Sequence, residues 1–377
     1  MTTGEKALKL HRKLKGKVEI SLKAPILTPE DLKLFYTPGV GAVATHLGKH
    51  PKDARAMTIK NNTILVVSDG SAVLGLGNIG PEGALPIMEG KAMIFKQFGG
   101  VNAYPIVLGT QDPDEIVKTV QYLSPGFGGI NLEDISAPRC FDIERRLIES
   151  LDIPVMHDDQ HGTAIVVLAG LVNALKVSRN NLRDVKIVIS GAGAAGNAVA
   201  KMLKRAGARS ILVLDRKGII APGRKGLDPQ KYELARLTNP KNRTGELKDA
   251  LRGANVVIGV SGPGLLTAEH IRLMAPKPIV FALANPVPEI MPEEARKGGA
   301  YIVATGRSDF PNQINNALVF PGVFRGALDH NVKRITDKMK VSAAHAIAAM
   351  VKHPTPKKIV PSIFDKGLAK AVARAIR

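Results

Sequence analysis

The sequence lacks the residues that build disulfide scaffolds and membrane spans. Among its 377 residues Cys140 is the only cysteine, so no disulfide forms within the chain. This composition is typical of a reducing cytoplasm. No apolar run reaches the roughly 18 residues that a membrane-spanning helix needs. Lys and Arg interrupt the N-terminal segment throughout, unlike the apolar centre of a secretory signal peptide. We therefore expect a cytoplasmic protein with no membrane span.

Aromatic residues are also scarce, at 4% with no tryptophan, whereas positive charge is abundant. Of the formal net charge of +20, the first 23 residues contribute +5 and residues 331–377 contribute +9. A basic surface is able to bind nucleic acid, but few aromatic rings are present to stack on bases. Both ends also carry apolar stripes of helical spacing, namely Ala7, Leu10 and Leu14, and Phe364, Leu368, Ala371, Val372 and Ala375. We expect docked helices with charged outer faces, and consider nucleic-acid binding unlikely.

The order of the apolar segments predicts an α/β protein of more than one domain. We expect an N-terminal α/β domain, residues 1–160, that carries the substrate and metal residues. A Rossmann-like, doubly wound parallel sheet is predicted for residues 161–345. The C-terminal helices, residues 346–377, are expected to pack back on the body.

Two pairs of acidic residues follow two predicted strands in the N-terminal half. Glu133-Asp134 and Asp158-Asp159 each come directly after a short apolar run. Side chains at the carboxyl ends of parallel strands project into the crevice where such sheets bind ligands. Carboxylates gathered there would repel one another without a cation, and oxygen ligands of this kind suit Mg²⁺ or Mn²⁺. The alternative is that each pair only starts a turn or caps a helix.

A glycine-rich segment in the second half has the full context of a dinucleotide-binding unit. A strand precedes it, and a helix and a second strand that ends in Asp215 follow. The segment is Gly191-Ala192-Gly193-Ala194-Ala195-Gly196. Its glycines permit a tight turn and let the helix N-terminus approach a pyrophosphate. Asp215 slightly favours NAD, whereas Arg216 and Lys217 directly after it would suit the 2′-phosphate of NADP.

Other loops contribute weaker candidates. Residues 75–80 also match the glycine pattern, but Pro81 follows at once and no acid-terminated strand comes after. We expect a turn there that shapes a substrate pocket. Later strands end in loops with small and polar side chains, and the candidates to bind nicotinamide or substrate are Ser261, Asn285, Asn315 and Asn316. Ordinary turn chemistry is the alternative for each asparagine.

Two further residues are candidates for proton transfer. Lys91 lies among small and apolar residues of a predicted helix, off its apolar face. Burial would lower its pKa and make it a base, and a solvated lysine is the alternative. Tyr36 precedes a Thr-Pro-Gly turn, a position more typical of packing than of catalysis.

Together these segments resemble the malic enzymes, in particular their short prokaryotic form. The resemblance rests on six motifs in the family's order, namely Tyr36-Thr-Pro-Gly-Val, Glu89-Gly-Lys91-Ala, Asn131-Leu-Glu-Asp-Ile, His157-Asp-Asp-Gln-His-Gly-Thr, the 191–196 segment and Ala284-Asn-Pro. It implies oxidative decarboxylation of L-malate to pyruvate and CO₂ with NAD or NADP and with Mg²⁺ or Mn²⁺. It also implies a homo-oligomer, a dimer or higher.

The resemblance implies a role for each candidate residue. The metal ligands would be Glu133, Asp134 and Asp159, with Asp158 behind them near Lys91. Lys91 would take the proton of the C2 hydroxyl, and Tyr36 would protonate C3 of the enol. The cofactor would be held by residues 191–196, Asp215, Ser261 and Asn285, and malate by Lys91, Asn285, Asn315 and Asn316.

One departure from the family pattern concerns the substrate carboxylate. Longer eukaryotic members have an arginine two residues after the Asp-Gly pair, where this chain has Ala72. A backbone amide of the 71–78 loop or another basic residue would have to replace it. Two other functions remain open: malolactic conversion of malate to lactate with the cofactor retained, and a non-enzymatic, basic nucleotide- or nucleic-acid-binding regulator.

Overall fold

The computed structural model describes residues 1–73 and 75–377, and its elements form two β-sheets flanked by helices. The strands are β1 Thr63–Ser68, β2 Asn102–Val107, β3 Gly129–Leu132, β4 Val155–His157, β5 Lys186–Ser190, β6 Ser210–Asp215, β7 Gly218–Ile219, β8 Val256–Gly259, β9 Ile279–Ala282 and β10 Ile302–Thr305. The helices are α1 Thr3–Leu14, α2 Pro29–Phe35, α3 Gly39–Lys49, α4 Ala54–Met57, α5 Gly80–Gly99, α6 Pro113–Leu123, α7 Arg139–Ser150, α8 Asp158–Ser178, α9 Ala194–Arg205, α10 Pro229–Thr238, α11 Leu247–Leu251, α12 Ala268–Arg272, α13 Pro292–Lys297, α14 Phe320–Asp329, α15 Asp337–Ala349 and α16 Leu368–Ala375. The α/β prediction is confirmed.

The first sheet has the order β2-β1-β3-β4, and its pairs are parallel. Every residue of β1 and β3 is buried, as expected of parallel strands covered on both faces. Because β3 and β4 are neighbours, the acid pairs that follow them lie at the same edge of the sheet. This prediction is confirmed.

The second sheet has the order β10-β9-β8-β5-β6-β7, which is the predicted doubly wound arrangement. All of its pairs are parallel except β6 with β7, a short antiparallel hairpin that no sequence pattern indicated. The chain reverses direction across the sheet between β5 and β8. The crevice at such a reversal is where open α/β sheets bind their ligands. The glycine segment follows β5, and Ser261 follows β8, so both lie at this crevice.

Helix α8 runs through the protein core and packs against α9 and α15. It is long and apolar enough to cross a membrane, with a mean hydropathy of 1.4, but 72% of that stretch is buried inside the protein. The apolar pattern predicts a helix from Thr163, but α8 begins at Asp158, so its first turn carries the second acid pair.

Several helices begin earlier than their sequence patterns predict. The pattern from Pro86 to Phe98 predicts a helix, but helix α5 begins at Gly80 and contains Pro86. Helix α9 begins at Ala194, inside the glycine segment. Helices α2 to α4 and α10 to α14 were not predicted. The domain limits stay predictions, and α15 crosses the one at residue 346.

The terminal apolar stripes differ in their outcome. Leu368 and Val372 are buried on α16, which packs against α14, as predicted. Phe364 precedes that helix and is 79% exposed, so its placement on the docked stripe is wrong. Helix α1 has no buried residue. The expectation that its stripe docks is therefore wrong within a single chain, because no described residue covers that face.

Candidate active site

The two acid pairs and Lys91 meet in one cluster at the edge of the first sheet. Lys91, on α5, places its Nζ 2.6 Å from Asp158 Oδ2 and 2.6 Å from Glu133 Oε1. The three side chains are buried. Asp134 and Asp159 complete the cluster, since the backbone N–H of Asp134 donates to Asp159 Oδ2 at 2.8 Å. Five of the predicted site residues thus come together.

Lys91 belongs to the buried face of α5, contrary to its predicted position off that face. It is 7% exposed, and its Nζ lies 4.2 Å from the centre of the Phe320 ring. Burial by itself lowers the pKa of Lys91. The carboxylates of Asp158 and Glu133 outweigh burial and hold the pKa above its ordinary value. The expected lowering is therefore wrong, because acidic residues surround the ammonium group.

The remaining carboxylates form a candidate metal centre. One ligand oxygen from each of Glu133, Asp134 and Asp159 lies within 4.8 Å of the others. Burial, with repulsion from Asp159 and Glu133, raises the pKa of Asp134 to about 9. Burial likewise raises the pKa of Glu133 to about 7. Within the described residues, the buried Asp134 Oδ2 has no hydrogen-bond partner.

This donor set fits a divalent cation. Four carboxylates face one ammonium group, so the ionised cluster carries excess negative charge that burial makes costly. A hard cation such as Mg²⁺ or Mn²⁺ would offset that charge with ligands of the preferred type. The first turn of α8 also favours the negative charge of Asp158 and Asp159 through its N-terminal dipole.

A glycine on α8 keeps the cluster compact. A Cβ added at Gly162 would lie 1.9 Å from Asp158 Oδ1 and 3.1 Å from the Cβ of Asn316. Asn316 therefore lies beside Asp158, near the cluster, and its role as a substrate ligand stays a prediction. Asn315 uses its side-chain oxygen to accept from the backbone N–H of Ala317 at 2.9 Å, which is the turn chemistry that remained as its alternative.

A buried carboxylate that no motif indicated holds the start of α8. Glu144, on α7, accepts from the His157 backbone N–H at 2.7 Å and from Gln160 Nε2 at 3.2 Å. It also pairs with His161 Nε2 at 3.0 Å, and Lys340 Nζ donates to His161 Nδ1 at 3.0 Å. Burial would raise the pKa of Glu144, but the facing His161 and Lys340 hold it at about 2. The only signal in the sequence was an acid on the apolar side of a helix.

The glycine segment has the shape of a phosphate cradle. Gly191 has a φ of +119°, and a Cβ at Gly196 would lie 1.8 Å from the Gly191 carbonyl oxygen. A Cβ at Gly191 would itself lie 2.5 Å from the carbonyl oxygen of Val260. Only glycine fits these positions. The N-terminus of α9 begins within the segment, at Ala194, as a pyrophosphate site requires.

Asp215 lies at the end of β6, but its carboxylate already has partners. Oδ1 accepts from Arg224 Nη1 at 2.9 Å and from the Lys217 backbone N–H at 2.9 Å. A second Arg224 nitrogen donates to Oδ2, and Lys231 Nζ lies 3.5 Å from that oxygen. Burial would raise the pKa of Asp215, but the hydrogen bonds from Arg224 keep it below its ordinary value. The sequence patterns did not indicate Arg224.

The 75–80 loop meets the second sheet at Asn285. A Cβ at Gly75 would lie 2.1 Å from the Asn285 carbonyl oxygen, and one at Gly306 would lie 2.6 Å from Asn285 Nδ2. Leu74 lies outside the described residues. Ala72 is exposed, and its N–H donates to the Asp134 carbonyl at 2.9 Å. That amide is therefore already used.

Tyr36 stands apart from these residues. It follows the last residue of α2 and is 65% exposed. Within residues 1–73 and 75–377, no hydrogen bond joins its hydroxyl group to Lys91 or to the acidic cluster.

Known proteins are similar to this chain over nearly its whole length. A family model described as "Malic enzyme, N-terminal domain" matches residues 15–148, and one described as "Malic enzyme, NAD binding domain" matches residues 160–376. The crystal structure of an NAD-dependent malic enzyme from Thermotoga maritima has a TM-score of 0.95 and 49% identity, covering 98% of each chain.

Several relatives are similar in sequence. An NAD-dependent malic enzyme of Geobacillus stearothermophilus is 54% identical over 96% of this chain and 76% of its own length. A bifunctional malic/malolactic enzyme of Bacillus subtilis is 52% identical over 100% and 92%. An NADP-dependent malic enzyme of Halomonas elongata is 48% identical over 96% and 85%. The chain therefore belongs to the malic enzyme family, whose members decarboxylate malate oxidatively to pyruvate with reduction of NAD or NADP.

Proposed function

We propose that the cluster around Lys91 is the site at which this chain oxidises and decarboxylates L-malate. The observation that carries the proposal is the position of Lys91 Nζ, 2.6 Å from both Asp158 and Glu133 and beside the other two acids. The Lys91 ammonium group lies between the two acid pairs. A substrate hydroxyl group bound beside it would contact both Lys91, as the proton acceptor, and the metal.

The metal ligands in this proposal are Glu133, Asp134 and Asp159. Bound there, Mg²⁺ or Mn²⁺ would supply Lewis-acid chemistry at the C2 oxygen of malate. The charge of the cation would also offset the carboxylate charge that holds the proton on Lys91. Asp158, with its Oδ2 on Lys91 Nζ, fixes the direction in which that nitrogen faces the substrate.

The proton steps are assigned to side chains of this chain. Lys91 takes the proton of the C2 hydroxyl group, while the nicotinamide supplies the acceptor for the hydride from C2. The C3–C4 bond then breaks, CO₂ leaves, and the electron pair of that bond remains on the enolate of pyruvate. Tyr36 donates the proton that completes C3 of pyruvate.

Binding of the cofactor and of malate is assigned to the loops at the crevice. Residues 191–196 hold the pyrophosphate, and Ser261 and Asn285 lie on the nicotinamide side. Asn285 and Asn316 contact malate, with Asn315 holding the turn that carries Asn316. The Arg224 pair at Asp215 leaves positive charge around the ribose position, which supports use of both NAD and NADP.

A homo-oligomer, a dimer or higher, is part of the proposal. Large apolar side chains are exposed along the N-terminal segment, namely Leu8, Leu10, Leu14, Val18, Ile20, Leu22, Ile26 and Leu27. Apolar surface of this extent is typical of an interface. Tyr36 lies at the end of the same region. It therefore acts with Lys91 of its own subunit or with Lys91 of a neighbouring subunit. The assembly acts in the cytoplasm and needs no nucleic acid.

Mixing two inactive variants distinguishes these placements of Tyr36. We would combine Tyr36→Phe with Lys91→Ala, dissociate and reassociate the subunits, and measure malate oxidation. Recovery of about a quarter or more of the wild-type rate means that Tyr36 serves a neighbouring Lys91, whereas no recovery means that each site is built from one chain. A monomer by light scattering would contradict the oligomer.

The catalytic proposal is tested by Lys91→Ala with Lys96→Ala as the matched control. Lys96 lies on the same helix and is exposed. We expect Lys91→Ala to reduce kcat by at least about a hundredfold with dinucleotide affinity unchanged, and Lys96→Ala to retain activity. Equal activity of both variants would contradict the role of Lys91.

A second activity, malolactic conversion, is proposed because the relative that covers the whole chain is named a bifunctional malic/malolactic enzyme. It would use the same cluster, with the reduced cofactor retained, its hydride transferred to C2 of pyruvate and a proton supplied to the C2 oxygen. Lactate release without net reduction of free NAD would demonstrate it, and the absence of lactate at saturating malate would exclude it.

A further inference from the structure

A buried carboxylate joins the two loops on the nicotinamide side of the crevice. Glu289 is fully buried, with an exposed fraction of 0%. Its Oε1 accepts from the Ser261 backbone N–H at 2.8 Å and from Ser261 Oγ at 3.3 Å. Its Oε2 accepts from the Ala284 backbone N–H at 3.0 Å. One side chain therefore connects the loop after β8 to the loop after β9, directly before Asn285.

The partners of Glu289 require two acceptor oxygens that face different loops. A carboxylate offers only acceptors, whereas a glutamine amide would direct N–H donors at one of the two backbone N–H groups. Within the described residues no lysine, arginine or histidine pairs with Glu289, so backbone N–H groups supply its stabilisation. A carboxylate with these partners holds the two loops in position and does not balance a positively charged side chain.

The absence of a side chain at Gly259 leaves room for the Glu289 side chain. A Cβ at Gly259, the last residue of β8, would lie 2.4 Å from Glu289 Cδ. The Glu289 carbonyl oxygen accepts from the Leu266 N–H at 3.0 Å. The side chain and the backbone of one residue thus both hold the segment that follows β8.

The contact continues to the glycine segment. Ser261 Oγ lies 3.3 Å from Ser190 Oγ, at the end of β5. Ser190 directly precedes Gly191, the first glycine of the pyrophosphate turn. Glu289, Ser261 and Ser190 therefore form a chain of contacts across the carboxyl ends of β9, β8 and β5.

We propose that Glu289 is a positioning residue that sets the spacing of the Ser261 and Asn285 loops around the nicotinamide half of the cofactor. The inference rests on the proposed assignment of these two loops to cofactor binding. Glu289 touches neither cofactor nor substrate in this account. Its effect passes through the two backbone N–H groups that it holds, and geometry preset in this way lowers the cost of ordering the loops when the dinucleotide binds.

The test compares Glu289→Gln with Glu294→Gln. Glu294 is a partly exposed glutamate of α13, five residues after Glu289, that accepts from the Ala268 backbone N–H at 3.3 Å. In Glu289→Gln one buried N–H loses its acceptor, and we expect NADH and NADPH to dissociate about tenfold more readily. The KM for the oxidised cofactor rises by a similar factor. The Mn²⁺ affinity of Glu289→Gln, measured by electron paramagnetic resonance, stays at the wild-type value. In Glu294→Gln the dissociation of reduced cofactor, the KM for oxidised cofactor and the Mn²⁺ affinity all stay at their wild-type values.

Four outcomes separate the possibilities. If folded Glu289→Gln binds the dinucleotide as tightly as the wild type does, the proposal is overturned. It is also overturned if Glu289→Gln loses Mn²⁺ affinity by the same factor as dinucleotide affinity, because that would mean a general loss of structure. Asn285→Ala tests the underlying site: if it leaves cofactor affinity and KM unchanged while Glu289→Gln alters them, the loop assignment fails and not the contact. If Glu289→Gln does not fold, amide hydrogen exchange of the wild-type protein without cofactor tests the inference instead. The backbone amides of Ser261 and Ala284 should both be protected from exchange. Rapid exchange of either amide would contradict the inference.

Discussion

Replacing Asp134 by asparagine keeps the shape of the side chain and removes one charge from the acidic cluster. Ligand oxygens of Glu133, Asp134 and Asp159 lie within 4.8 Å of one another. Two unit charges at this separation repel by about 3.5 kcal/mol at an effective dielectric constant of about 20. Part of this repulsion is already relieved in the metal-free protein, because the pKa of Asp134 is raised to about 9. Asp134→Asn therefore leaves the metal-free protein as stable as the wild type, or more stable.

The same substitution removes a metal ligand. A cation present at about 100 times its dissociation constant stabilises the wild type by about 2.7 kcal/mol. Asp134→Asn loses most of this gain because an amide oxygen is a weaker ligand than a carboxylate for a hard cation. The substitution thus separates stability without metal from stability with metal.

Thermal unfolding with a chelator and then with increasing Mn²⁺ measures both quantities. Asp152→Asn is the control, since this acid is almost fully exposed and pairs only with Lys333 among the described residues. The control should show the full metal-dependent rise in Tm, and Asp134→Asn should show little. A full rise for Asp134→Asn, or a metal-free Tm well below that of the wild type, would refute the assignment of the metal centre.

Three further substitutions probe what surrounds the site. Glu144→Gln should lower the free energy of unfolding by about 3 kcal/mol, because buried Lys340 loses the negative charge that faces it and His161 loses a carboxylate acceptor. The pKa of Glu144 is held at about 2, so the loss measured by urea unfolding is largest at neutral pH and shrinks as the pH falls from about 4.5 toward 2. Arg224→Ala frees Asp215 to bind a ribose hydroxyl group and removes a positive charge near that position. The ratio of kcat/KM for NAD to kcat/KM for NADP should therefore rise about tenfold. A fall in that ratio would contradict this. Gly162→Ala places a Cβ 1.9 Å from Asp158 Oδ1, and kcat should fall about a hundredfold while dinucleotide affinity is kept.

The sequence predicted the strands and the acidic cluster well because both depend on local pattern. Each buried parallel strand is a short apolar run, and an acid directly after such a run must lie at the carboxyl edge of the sheet. Glu133 and Asp159 were found in this way. The glycine segment was found because its backbone tolerates no side chain, as the contacts of Gly191 and Gly196 explain.

Contacts made by folding could not be predicted in the same way. Arg224 reaches Asp215 only because the chain turns back after β6, and no motif marks that turn. Glu144 and Glu289 look like ordinary glutamates in the sequence, and their burial depends on packing between distant segments. The pKa of Lys91 was expected to be lowered because burial was considered without the four carboxylates that surround it. The apolar stripe of α1 is not buried within the chain, since a sequence does not show whether a stripe docks on its own chain or on another subunit.

The measurement that tests the central claim most directly follows reduced nicotinamide by absorbance and pyruvate by a coupled assay, with L-malate, Mn²⁺ and either NAD or NADP. The account predicts equal amounts of pyruvate and reduced cofactor, none of either when a chelator replaces Mn²⁺, and loss of both in Lys91→Ala and Glu133→Gln. Undiminished turnover in either variant, or turnover that does not depend on a divalent cation, would contradict the assignment of the Lys91 cluster as the active site.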